Sequence, residues 1–294
     1  MSNKIGWQGN LELVYAKNNT KTQLIHSLGK APLKVQRPFY PEGEKICHSV
    51  VLHTAGGMVG GDTLRENIYL QKNAQVLITT AAAQKIYRSN GATAKQTIDI
   101  KIDEGANLEW LPLETIVFNG GIYQQKLRVE LTPGGSWLGW EITRFGRTAR
   151  GERFVTGEWR SHTEVWQQGK PLWIDRQWLP AGEEIINSPH GLAGKPIVGS
   201  MIFIGQPVCQ EIINKARSLW DDLPCFNPPH PAFEKGENMQ RGEAGVTTTL
   251  GEGLLCRYRG FSSAEVRQWF MEVWQLLRLS VFQRQIIKPR IWLQ

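Results

Sequence analysis

Four carboxylates are the first candidates for chemistry in this 294-residue chain. Asp62 directly follows Gly56-Gly57-Met58-Val59-Gly60-Gly61, Glu109 and Glu114 bracket Trp110-Leu111-Pro112-Leu113, and Glu141 lies in Trp140-Glu141-Ile142. All sit in or beside apolar, strand-like sequence, where an uncompensated charge is expensive. Either each faces solvent or accepts turn hydrogen bonds, or they form an internal path of oxygen ligands. A cage of softer donors has less support. Cys47-His48 and His53 share one stretch, but paired ligands on a strand want i and i+2, and positions 48 and 53 point to opposite sides. Cys225 and His230 sit in a Pro-rich segment without convergent partners, and His26, His162 and His190 are isolated. A closed zinc-type site is not expected.

The glycine run at 56–61 invites a phosphate-binding reading and fails it on context. A P-loop needs Lys and Ser or Thr after its last glycine, and a dinucleotide fingerprint must run into a helix. Here the residue two after Gly56 is Met58, and the run leads into Thr63-Leu64-Arg65-Glu66-Asn67-Ile68-Tyr69-Leu70, a strand with Leu64, Ile68 and Leu70 on one face. With no helix N-terminus there is no ready anion site. The run is a tight strand-to-strand turn, where backbone approaches backbone or where a cation passes one carboxylate. Nucleophilic catalysis has no Gly-x-Ser-x-Gly elbow and no activated Cys or Ser motif to rest on. Arg144, Arg147, Arg150 and Arg153 recur at every third position, but Gly146 and Gly151 argue against one helical stripe. The segment is too short for an RNA-binding Arg/Gly tract. Guanidinium forks aimed at carboxylates of a partner, or of this chain, fit it equally well.

The elements that must position these residues read as mainly β. Residues 11–15 alternate and 22–26 return as a hairpin partner after a polar turn. Strands come next at 46–53, 75–80, 97–103 and 127–131, with Gly/Asn/Pro punctuation between them. No repeat of fixed length is obvious. Beyond Pro180 the character changes: 181–199 and 224–245 read as loops, 197–204 as a strand, and Pro207 opens a helix carrying Ile212, Ile213, Ala216, Leu219 and Trp220. A second helix starts at the capping box Ser262-Ser263-Ala264-Glu265, with Val266, Trp269, Phe270, Val273, Trp274 and Leu277 as a core-facing stripe. The apolar C-terminus, with Arg290 and Trp292, is expected to dock on its own body or on a partner.

Composition is that of an ordinary globular protein, 41% hydrophobic and 21% charged. No apolar run approaches a membrane span, the N-terminus lacks the apolar core of a secretory signal, and four cysteines form no framework. A cytoplasmic protein with reduced thiols is expected. The net charge of +7 allows nucleic acid, anionic membrane or acidic protein as a partner, but the cations are dispersed along the chain. Twelve Trp supply core area or interface anchors.

Several segments, taken in order, resemble the urease accessory protein UreD (UreH) family. They are Ala55-Gly56-Gly57-Met58-Val59-Gly60-Gly61-Asp62, Thr79-Thr80-Ala81-Ala82-Ala83-Gln84-Lys85-Ile86-Tyr87-Arg88, Glu109 to Phe118, Trp140 to Arg147, Gly151-Glu152-Arg153-Phe154, and Pro289-Arg290-Ile291-Trp292. Residues 81–86 depart slightly from the family wording Thr-Thr-Gln-x-x-x-Lys-Tyr. The resemblance implies one domain over 1–294, β-rich to residue 180 and strand-helix-strand-helix over 197–294. Its implied architecture is stacked β-sheets of β-helix-like form with a few C-terminal helices. It further implies no catalysis and no tightly bound cofactor. The expected role is a scaffold that binds apo-urease and UreF, recruits the GTPase UreG through UreF, and passes nickel through an internal tunnel. Asp62 and Glu141 are the expected lining of that path, with Glu109 and Glu114 behind them. Arg147, Arg150, Arg290 and Trp292 are expected partner contacts. Carboxylates suit transit, because imidazole and thiolate would hold nickel too strongly. Two rivals stand beside it: a β-rich carbohydrate-active enzyme, with two acids about 5–10 Å apart in an open Trp-lined cleft, and a basic nucleic-acid-binding module with a clustered positive face.

Overall fold

The computed structural model describes residues 6–224, 241–250 and 253–293. Cys225, His230 and most of the second expected loop lie outside the described residues. The expected hairpin is β1 (Gln8–Asn18) and β2 (Lys21–Lys30), followed by the short β3 (Leu33–Val35). Four coils then wind through two sheets. They are β4 (Ile46–His53) with β5 (Thr63–Leu70); β6 (Gln75–Thr80) and β7 (Gln84–Ile86) with β8 (Ala94–Ile102); β9 (Asn107–Trp110) and β10 (Thr115–Val117) with β11 (Ile122–Leu131); and β12 (Ser136–Phe145) with β13 (Glu158–Gln167). In one sheet β4, β6, β9 and β12 run parallel, and in the other β5, β8, β11 and β13 do. This is a mainly β, solenoid-like stack, as expected.

The remaining chain caps the stack. β14 (Lys170–Pro180) returns antiparallel on β13. After α1 (Glu183–Asn187), the strands β15 (Ile197–Ile204), β16 (Glu243–Thr248) and β17 (Leu254–Gly260) extend the other sheet beyond β12. α2 (Gln210–Asp221) and α3 (Ser263–Phe282) complete it. The first sheet thus has seven strands, ordered β14-β13-β11-β8-β5-β1-β2, and the second has ten.

Alternation along the strands separates two cores. Odd residues of β12 such as Trp137 and Phe145 face the seven-stranded sheet, whereas Leu138, Trp140 and Ile142 face the helices. Trp269, Phe270, Val273 and Trp274 of α3 are fully buried against that second face, so the expected stripe is core.

Three local expectations need correction. The helix after Pro207 begins at Gln210, with Cys209 as its N-cap residue. The 181–199 segment is not wholly loop, since it contains α1. The capping box is half made. Ser262 Oγ accepts from Glu265 N at 3.2 Å, but the Glu265 carboxylate accepts from Tyr258 Oη at 2.7 Å. Ser262 N lies 3.4 Å from that same Oη. A buried phenol must have a partner, and it takes the one the cap would have used.

Candidate functional site

Most of the seven-stranded sheet's inward face is aliphatic, but one cross-strand row is polar. Register places Gln96 of β8 beside Gln125 of β11, Ser161 of β13 and Gln177 of β14. The adjacent inward row contains Glu66, Thr163 and Asp175. Facing them, Glu141 of β12 is in register with Ser200 of β15 and Arg257 of β17. The two sheets therefore meet along a polar seam.

Two hydrogen-bonded groups occupy that seam, one up to Glu141 and one beyond it. Gln96 Nε2 donates to Glu66 Oε1 at 2.7 Å, and Tyr123 Oη donates to Gln96 Oε1 at 2.6 Å. Tyr123 Oη also lies 3.1 Å from Gln125 Oε1, and Gln125 Nε2 donates to Glu141 Oε1. Ser161 Oγ donates to Glu141 Oε2 at 3.0 Å, and Thr163 Oγ1 reaches Oε1 at 3.3 Å. Beyond Glu141, Arg257 donates to Ser200 Oγ at 2.6 Å and pairs with Asp175 at 2.8 Å. Arg257 is 39% exposed and Asp175 15%, so this group marks an outer end of the seam.

Between the sheets the seam lines a cavity with about 50 Å³ open to water-sized species, bounded by Glu66, Gln84, Gln96, Tyr123, Gln125 and Glu141. That is room for a few waters or a small ion. A second, smaller cavity of about 10 Å³ is lined by Glu141, Thr163, Asp175 and Ser200. Burial dominates the electrostatics. It pushes the Glu66 carboxyl up to about 7 against the opposing hydrogen bond from Gln96. Burial likewise raises Glu141, aided by Asp175 and opposed by the Ser161 and Thr163 hydroxyls. Glu66 Oε2 and Gln84 Nε2 are both buried without a hydrogen-bond partner and both line this cavity. Such unpaired groups are costly, and waters or other small polar guests in the cavity would satisfy them.

Of the four expected carboxylates, the structure places only Glu141 here. Asp62 spends its oxygens inside the chain: Oδ1 accepts from Trp7 N and Oδ2 from Val59 N, each at 2.8 Å. Its glycine run is the tight turn expected, with Met58 N donating to Lys85 O at 2.8 Å. At Gly57, φ is +152° and an added Cβ would meet Lys85 O at 2.6 Å. Glu109 lies on the other face of its sheet, fully buried, bonded to Arg278 at 2.5 and 2.8 Å and to Trp274 Nε1 at 3.0 Å. Arg278 also pairs with Glu42, which bonds His48 at 2.7 Å. Burial disfavours the Glu42 anion, but His48 and Arg278 outweigh it and hold its carboxyl below the usual range. Glu114 is paired with Arg267 of α3. His48 and His53 do diverge, and among the described residues no group of three or more His, Cys, Asp or Glu is arranged to hold a metal ion.

The expected partner-contact residues are scattered. Arg147 bonds Glu152 at 2.7 and 3.0 Å and lies 4.6 Å from the Phe118 ring. Arg150 is exposed in a single 3-10 turn. Arg290 is exposed, while Trp292 docks on the chain's own body, stacked 5.5 Å from Trp140 and donating to Thr79 Oγ1 at 3.0 Å. Glu66 was absent from the expected site. A signal for it existed, because it shares the parity of Leu64, Ile68 and Leu70 and so interrupts an apolar face.

Comparison with known proteins agrees along the chain. A family model described as UreD urease accessory protein matches residues 8–293. A protein named Urease accessory protein UreD from Trichormus variabilis is 63% identical over 287 residues, covering 98% of this chain and 96% of its own length. Its namesake from Microcystis aeruginosa is 53% identical, covering 98% and 99%. The one from Synechocystis sp. is 39% identical, covering 92% and 95%. The chain therefore belongs to the UreD urease accessory protein family.

Proposed function

We propose that this chain is a non-catalytic scaffold of urease maturation, acting in the cytoplasm, that passes nickel along the seam between its sheets. It holds apo-urease and UreF, with UreG recruited through UreF, and Arg147, Arg150 and Arg290 are available for those contacts. No cofactor is tightly bound; nickel is cargo. The observation that carries this reading is the pair of carboxylates, Glu66 fully buried and Glu141 half-buried, linked by polar contacts through Gln96, Tyr123 and Gln125, with the single Tyr123 proton shared between the two amide oxygens.

Oxygen and amide ligands bind a divalent cation more weakly than imidazole or thiolate, which is what a conduit needs. Both carboxyls hold their protons more tightly than in water. A cation entering displaces those protons, and their return favours release, so the seam need not strand an unpaired anion when empty. At about 50 Å³ the cavity between the sheets is too small to hold a sugar, since ligand pockets span roughly 300–1,000 Å³. No helix among the described residues is long and apolar enough to cross a membrane.

The test is co-expression of the tagged chain with cognate urease subunits and accessory proteins, followed by affinity capture. The reading predicts recovery of urease and UreF with the tag. Recovery of this chain alone would refute it.

A further inference from the structure

Dispersed in sequence, the cations are gathered in space. On the outward face of the seven-stranded sheet, one cross-strand row carries Lys30, Arg65, Lys126 and Arg176, and the adjoining row carries Lys95 and Arg160. Neighbouring cations in a row stand two strands apart, about 10 Å, and the rows are about 7 Å apart. All six side chains are exposed. Lys30, Arg65, Lys95 and Lys126 have no carboxylate partner among the described residues, whereas Arg160 pairs with Glu158 and Arg176 donates to His162 beside Glu164. Arg160 also lies 5.1 Å from the ring of Trp178, which is 61% exposed.

Unpaired like charges on a rigid sheet repel one another, and ordinary packing does not require them. The helices α2 and α3 belong to the opposite sheet's outer side, so neither covers this face. The next row along the strands is net acidic, with Glu12, Asp99 and Glu164 beside a single cation, Arg128, which pairs with Glu164. A phosphate backbone laid across the basic rows would meet that acidic row. A folded protein offers discrete carboxylates that can stop short of it, and an exposed Trp beside an Arg is a typical interface anchor.

We infer that this outward face docks an acidic strip on a folded protein of the urease maturation complex, with Trp178 as an anchor at its β14 edge. The inference rests on the function proposed above for the identity of the complex; the chemistry of the surface stands on its own geometry.

The experiment uses the tagged full chain co-expressed with cognate urease subunits and accessory proteins. Two triple variants are compared with wild type: Arg65→Glu/Lys95→Glu/Lys126→Glu, and the milder Arg65→Gln/Lys95→Gln/Lys126→Gln. Lys72→Glu/Lys215→Glu, placed elsewhere, is the control. Capture of at least one cognate protein should fall roughly tenfold or more in the Glu triple and less in the Gln triple. Wild-type capture should weaken with added salt, and the control should match wild type. Wild-type capture by both triples would overturn the inference while leaving the proposed function intact. Capture of no cognate protein by wild type would overturn both. Tighter binding of wild type to a short DNA duplex than to any cognate protein, lost in the Glu triple, would replace the acidic protein with a polyanion and overturn it too.

Discussion

Glu109 and Glu141 stand on neighbouring strands of one sheet and on its opposite faces. Glu109 meets the guanidinium of Arg278 in a fully buried pair inside the protein. Glu141 meets an amide and two hydroxyls, and burial favours its proton. Residues of opposite parity in the same sheet thus have opposite electrostatic fates. One carboxylate braces α3 against the sheet; the other faces the polar seam.

The Glu66 carboxyl gives a pH dependence whose sign is fixed. Its folded value of about 7 lies above its unfolded value, so the folded state binds the extra proton and stability falls as pH rises between the two. Glu66→Gln removes that loss. Urea unfolding should show the variant more stable than wild type at pH 8, by up to about 3 kcal/mol, with the gap closing near pH 5. A gap independent of pH would contradict the assignment.

Arg278 should behave as a buried clasp. Its Nη1 reaches Glu42 at 2.5 Å and Gln285 O at 3.0 Å, while Nη2 reaches Glu109 at 2.5 Å. Arg278→Met leaves Glu42 with His48 alone and Glu109 with Trp274 Nε1 and Arg284, the latter at 3.6 Å, and should cost about 3–5 kcal/mol by denaturant unfolding. Adding Glu109→Gln to Arg278→Met should recover part of that loss. Strict additivity of the two changes would count against direct coupling.

Asp62 should act as a structural staple. Asp62→Ala removes two acceptors of backbone N–H groups and should destabilise the fold by about 2–3 kcal/mol. Urease activation measured at a permissive temperature should then track the amount of folded protein. A loss of activation with unchanged stability would instead place Asp62 on the nickel path.

Much of the fold was legible because strand alternation is a local signal. The inward sets Ile98, Ile100 and Ile102 and Leu127, Val129 and Leu131 could be read directly. The seam was harder to see. Gln96 and Gln125 continue those same parities, but nothing local says they lie side by side. Their alignment depends on coil register. Inter-strand segments differ in length, so the coils begin at Ile46, Gln75, Asn107 and Ser136 without a fixed repeat. The same geometry hid the basic face, whose Arg65, Lys95 and Lys126 are about a coil apart in sequence. Arg278 was missed for another reason. It falls on the buried stripe four residues after Trp274 but resembles an ordinary cation near a helix end.

The nickel content of urease matured in cells at limiting nickel tests the central claim most directly. Urease co-expressed with the Glu66→Gln/Glu141→Gln variant should carry roughly tenfold less nickel or lower still, with the captured complex intact and the deficit relieved by excess nickel. Wild-type nickel content and activity with that variant, at the same limiting nickel, would contradict a path through the seam.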